Sequence, residues 1–146
     1  APQMISQYQH VRSCDPVVVE GDYAYVTLRS GNTCEGFTNQ LEVIDLKDLT
    51  KPTLVSVYPM TNPHGLGMDQ GKLFICDGSD GLKVYDASDV TKISANQLAH
   101  YKNIHAFDVI PWQQVAMVIG ADGLYQYDYS DIQNIKLLSQ LPIVEE

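Results

Sequence analysis

The chain has 146 residues, 45% of them hydrophobic, which is one domain's length with enough apolar material for a packed core. Lys and Arg total 9 against 18 Asp and Glu; the net charge of -9, with Arg12 and Arg29 the only arginines, excludes the basic patch that nucleic acid or an anionic lipid surface requires. The longest uninterrupted apolar run, Val115 to Ile119, falls far short of the roughly 20 residues of a membrane-crossing helix.

Taken in chain order, the apolar runs are short and alternate rather than following the helical period. Pro2 to Tyr8 reads as a first extended segment, because it matches Pro52 to Tyr58. Val17 to Val19, Tyr23 to Thr27, Leu41 to Asp45 and Leu54 to Tyr58 follow as four strands. The same four recur as Leu66 to Met68, Leu73 to Cys76, the run from Leu82, and Leu98 to Tyr101. They recur again as Phe107 to Ile110, Val115 to Ile119, the run from Leu124, and Leu137 to Leu141.

Between the second and third strands the later two copies carry Asp80-Gly81 and Asp122-Gly123, the dipeptide suited to a type I′ hairpin. The first copy has a longer loop there, Ser30 to Asn39. Asp45, Asp86 and Asp128 close the third strands and set a period of 41 and 42 residues; Asp48, Asp89 and Asp131 follow each of them. A carboxylate here accepts from a backbone N–H two residues on and reverses the chain, so turn formation is the simplest role for this aspartate pair.

About forty residues and four short strands per unit define a β-propeller blade. The expected fold is therefore all-β, a partial propeller of about three blades in a single segment over 1–146. Residues 1–13 supply the outer strand of a preceding blade, with blades at 14–62, 63–103 and 104–146. Such a segment leaves two blade faces without neighbours, and those faces call for the remaining blades of a parent chain or a second copy of this one.

The segments Leu41-Glu42-Val43-Ile44-Asp45-Leu46 and Leu82-Lys83-Val84-Tyr85-Asp86 resemble the LVIVD repeat, a propeller repeat of bacterial, notably Bacteroidetes, surface lipoproteins. The third copy departs from it at Gln126 and at Asn134-Ile135. The resemblance implies a longer parent, more blades upstream, an outer-membrane or cell-surface location, and membrane attachment only through a lipid anchor outside this segment. It transfers no catalytic residue.

In a propeller, ligands gather at one mouth of the central channel, among the loops that enter the inner strands and those between second and third strands. Those loops hold Arg12, Cys14, Asp15, Glu35, His64 and His105. His64 and His105 lie 41 residues apart, so they are expected at similar places in adjacent blades, facing across a groove with Asp15 as a third metal-type ligand. Hydrogen bonding of each ring to a neighbouring loop is the simpler reading, and no metal and no cofactor are expected.

Three cysteines cannot all pair within one chain. Cys14 and Cys34 fall at the same mouth and are expected to form a disulfide, which would remove Cys14 as a thiol partner for His64. Cys76 is expected to be a buried free thiol. The stretch Asp77-Gly78-Ser79-Asp80-Gly81 lacks the ligand pattern of a calcium loop and reads as a turn, and Tyr125, Tyr127 and Tyr129 read as strand packing rather than a carbohydrate platform. No catalytic constellation emerges. The expected function is a non-enzymatic binding or scaffold module for a protein or glycan ligand; the alternative is a propeller hydrolase or lyase, possibly metal-dependent, with its site at the mouth.

Overall fold

A computed structural model describes residues 1–9, 16–31 and 38–143. Among the described residues twelve strands form three four-stranded antiparallel sheets, each built from strands consecutive in the chain. The first sheet contains β1 (Val17–Glu20), β2 (Tyr23–Leu28), β3 (Gln40–Asp45) and β4 (Thr53–Pro59). The second contains β5 (Leu66–Asp69), β6 (Lys72–Cys76), β7 (Leu82–Asp86) and β8 (Gln97–Tyr101). The third contains β9 (Ala106–Trp112), β10 (Val115–Gly120), β11 (Gly123–Asp128) and β12 (Lys136–Pro142). Among the described residues one 3-10 turn, Ile93–Asn96, precedes β8.

The aspartates form the turns expected of them in all three sheets. Asp45 accepts from the Lys47 N–H at 2.8 Å, Asp86 from Ser88 at 2.9 Å and Asp128 from Ser130 at 2.8 Å. Asp48, Asp89 and Asp131 do the same for Thr50, Thr91 and Gln133 at 2.9, 3.0 and 3.1 Å. The residue after each first aspartate donates its N–H back to the hairpin between the first two strands: Leu46 to Asp22, Ala87 to Gly71 and Tyr129 to Gln114, at 2.8 to 2.9 Å.

The turn types differ from expectation. Positive φ at both central residues, as type I′ requires, occurs at Gln70-Gly71 (50° and 75°) and Gln113-Gln114 (48° and 68°), in the hairpins between first and second strands. Asp80 and Asp122 do not adopt it. Asp77 to Gly81 is a five-residue loop between Cys76 and Leu82, and Ala121-Asp122 joins Gly120 to Gly123. Gly81 and Gly123 serve another purpose: a Cβ on either would stand 2.0 Å from the Tyr101 carbonyl oxygen or 2.3 Å from that of Leu141. Glycine there lets the outer strand pass close to the start of the third strand.

The sheets pack face to face through two apolar layers. Between the first and second lie Tyr25, Leu41, Val43 and Tyr58 against Leu66, Leu73, Ile75 and Tyr85. Between the second and third lie Phe74, Cys76, Leu82 and Val84 against Val109, Ala116, Val118 and Tyr125. The outward face of the first sheet buries Ala24, Val26, Leu28 and Ile44, with Tyr8 packed against them. The outward face of the third is uncovered, with Ile110, Met117, Ile119 and Leu124 exposed.

Residues 1–9 form no strand. Each sheet already has its four members, so the segment has no three-stranded edge to complete. It lies against the first sheet instead, where the Ser6 hydroxyl donates to the Leu49 carbonyl at 2.5 Å.

Candidate functional site

The first strands of neighbouring sheets lie side by side, β1 by β5 and β5 by β9, so the segments entering them converge. After β4 the chain crosses to the second sheet through residues 60–65. The His64 N–H donates to the Cys76 carbonyl at 2.7 Å and the Cys76 N–H to that of Gly65 at 2.9 Å, which extends the β5–β6 ladder by a rung. The Gly65 N–H donates to the Phe107 carbonyl of the third sheet at 2.8 Å. From the first sheet, the Thr27 hydroxyl donates to the His64 carbonyl at 2.5 Å. His64 is thus fixed to all three sheets through its own or its neighbours' main chain.

A hollow of about 230 Å³ opens at this junction, lined by Thr27, Arg29, His64, Gly65, Phe107 and Asp108 among others. The His64 and His105 rings each pack tilted on the Phe107 ring, with centroids 5.1 and 4.8 Å away. His64 Nε2 stands 3.4 Å from the Asn62 amide nitrogen. Burial, reinforced by the Arg29 and His105 charges and opposed by Asp77, holds the His64 pKa below its ordinary value and keeps the ring neutral at neutral pH.

The two histidines meet on the Phe107 ring, His64 at the hollow and His105 beside it, but not as equivalents. Hairpin registers Asp69↔Lys72 and Trp112↔Val115 align His64 with Phe107, so the aromatic ring occupies the place in which a 41-residue spacing puts a second imidazole. No group of three or more His, Cys, Asp or Glu that could hold a metal is present among the described residues. Arg12, Cys14, Asp15, Cys34 and Glu35 lie outside the described residues, and with them the disulfide expected between Cys14 and Cys34. Cys76 is buried and free, and burial drives its thiol pKa far up.

Sequence reasoning missed the polar network beneath the mouth. The Asp77 carboxylate is completely buried and accepts from the N–H groups of Asn62 at 2.6 Å and Thr61 at 3.2 Å. The Lys83 ammonium lies 2.5 Å from Asp77 and 2.6 Å from Asp80, and Asp80 also takes the Thr61 hydroxyl at 3.1 Å. Burial alone would lower the Lys83 pKa; the hydrogen bonds to Asp77 and Asp80 more than reverse it. The Lys83 bond is also the main reason the Asp80 carboxyl is held low. The cluster pins the crossover that carries His64. The one signal for it in the sequence is a lysine between Leu82 and Val84, on a strand otherwise buried on both faces, where a charge needs nearby carboxylates.

The tyrosines pack as expected. Tyr125 and Tyr129 are buried between the second and third sheets, Tyr129 against Phe74 at 4.9 Å. A larger hollow, about 460 Å³, lies on the outer flank among His100, Tyr101, Lys102, Asn103 and Tyr127, but it draws on one seam between sheets. The mouth draws on all three. Comparison with known proteins finds no matching family model and no matching curated protein.

Proposed function

We propose that the three sheets are blades of a β-propeller, and that the chain is a non-enzymatic binding module, of LVIVD-repeat character, exposed at a bacterial cell surface. Its ligand, a protein or glycan, engages the mouth at Thr27, Arg29, His64 and Phe107. The observation that carries this reading is the convergence of all three sheets on one hollow. Propellers gather their recognition groups in the same way, from loops on a rigid scaffold.

The groups at the mouth are suited to recognition. The Thr27 hydroxyl is committed to a main-chain carbonyl, and Cys76 is buried with its pKa raised. The neutral His64 ring, beside an amide and an aromatic face, offers a hydrogen bond and a stacking edge. The cell-surface assignment rests on the repeat's resemblance alone.

Screening the purified protein against a glycan panel and solubilised surface proteins tests the proposal. Arg29→Ala and Phe107→Ala should each weaken any binding found by about tenfold or more, the loss of one good contact. Stoichiometric bound zinc, manganese or calcium, together with turnover of an ester or glycoside, would overturn it in favour of a hydrolase or lyase.

A further inference from the structure

Two seams join the three sheets, and the strand registers put them in correspondence. Leu41 pairs with Tyr58 and Leu82 with Tyr101, so the two tyrosines are equivalent, and each fastens its seam by donating to the Val90 or the Ile132 carbonyl. The crossovers that run from these tyrosines to His64 and to Phe107 are equal in length, and their far ends are matched by the hairpins that follow. Met60 and Asn103 therefore hold the same place in the two seams.

The seams are filled differently at that place. In the first, Met60 packs against the apolar layer, and Ile93 of the 3-10 turn is completely buried. In the second, Asn103 is exposed, and Ile135, which follows Asp131 as Ile93 follows Asp89, is only half-buried. The second seam keeps a hollow of about 460 Å³, within the roughly 300–1,000 Å³ of small-molecule sites. Its walls include Tyr101, Ile104, Tyr127 and Ile135, all half-buried, and two phenol rings beside two isoleucines suit a flat apolar body.

The polar part of the lining favours an anion. No acidic residue lines the hollow. Lys102 is exposed and makes no ion pair among the described residues, and Asn103 adds an amide beside it. His100 is committed, with its Nε2 2.5 Å from the Asp80 carbonyl oxygen and 3.4 Å from the Asp80 carboxylate. Asp80 and Asp131, on the neighbouring turns, are engaged by Lys83 and by the Gln133 N–H. At physiological ionic strength exposed charges more than about 8 Å away are largely screened, so the chain's net charge of -9 does not cancel the local effect of Lys102. One uncommitted ammonium matches a single negative charge.

We propose that this hollow binds a compact aromatic carboxylate, its ring against Ile104, Tyr127 and Ile135 and its carboxylate at Lys102 and Asn103. The site is separate from the mouth and does not depend on what binds there.

An NMR titration of the isotopically labelled whole chain with cinnamate provides the test, with cinnamide as the uncharged counterpart. Saturable shifts at Tyr101 to Ile104, Tyr127 and Ile135 are expected, with a midpoint of about 1 mM or below for a ligand of this size. Cinnamide, and cinnamate with Lys102→Gln, should each bind about tenfold more weakly, the loss of one charge-assisted contact. Asn103→Met supplies the side chain that fills the first seam, so it should weaken cinnamate binding by about tenfold or more while the melting temperature holds or rises. Absence of saturation, shifts confined to the exposed face at Ile110, Met117 and Ile119, equal affinity for the amide, or undiminished binding to Asn103→Met would overturn the proposal. None of these outcomes bears on the mouth, whose own residues Thr27, Arg29 and His64 report separately.

Discussion

The Tyr58 hydroxyl donates to the Val90 carbonyl at 2.7 Å and accepts from the Ile93 N–H at 3.2 Å, so one side chain on the first sheet satisfies two backbone groups of the second. Both groups lie where the sheets are closely packed, and water does not readily replace the phenol. Tyr58→Phe keeps the ring and removes the fastening. It should cost about 1–3 kcal/mol in urea-induced unfolding, the penalty for stranding buried polar groups. Tyr101→Phe, which breaks the corresponding bond to Ile132 in a half-buried setting, should cost less.

The Asp77–Lys83–Asp80 network makes a sharper prediction. Asp77→Ala removes the acceptor of two main-chain N–H groups and leaves the Lys83 ammonium with Asp80 alone. A loss of about 3–5 kcal/mol follows from breaking a buried ion pair by removing one partner. Replacing Asp77 and Lys83 together by apolar residues should recover part of that loss, because no buried charge is then left unpaired. Chemical denaturation of the two single variants and the double variant measures the coupling.

Stability should fall at both ends of the pH scale, for different groups. Asp48, Asp80, Asp86, Asp89 and Asp128 are all held below the ordinary carboxyl value of 3.8 by hydrogen bonds to the charged form. Their contribution is complete above about pH 3.8 and is lost as pH falls through the lowered values. Lys83 is held above its ordinary 10.5, so its contribution is complete below that pH and is lost as pH rises through the raised value. His64, held below 6.5, adds an earlier decline as pH drops beneath 6.5, because the unfolded ring takes up a proton before the folded one. Melting temperatures across pH 3 to 11, with an NMR titration of His64, test all three windows; a His64 midpoint above 6.5 would contradict the last.

Gly81 and Gly123 give a fourth test. Alanine at either position must displace the outer strand, so each substitution should destabilise by more than about 1 kcal/mol and loosen β8 or β12 first in hydrogen exchange. Gly21→Ala, where no atom lies within 4 Å of the added Cβ, faces only the cost of its positive φ and should be milder.

The strands were legible because each is a short apolar run ended by a residue with an independent reason to turn, and Asp45, Asp86 and Asp128 repeat that reason at a fixed interval. The hairpin types were less so. An Asp-Gly pair looks the same whether both residues take the positive φ of a type I′ turn or the glycine alone does and clears space for the next strand, and Gly81 and Gly123 do the second. Phe107 at the mouth was missed for a related reason. Carrying the 41-residue spacing of Asp45 and Asp86 forward sets His105 against His64, but the inner strand is positioned by its own hairpin at Gln113-Gln114, which brings Phe107 there instead. The buried Asp77 needed three dimensions, since its donors on Thr61 and Asn62 arrive from the crossover between sheets.

The most direct measurement is an amide chemical-shift map of the isotopically labelled chain, titrated with whichever glycan or surface protein the screen retains. Ligand-dependent shifts confined to Thr27, Arg29, His64, Gly65, Phe107 and Asp108, without turnover of the ligand, are the predicted result. Shifts confined to the outer seam at His100 to Ile104, or conversion of the ligand during the titration, would contradict a binding site at the mouth.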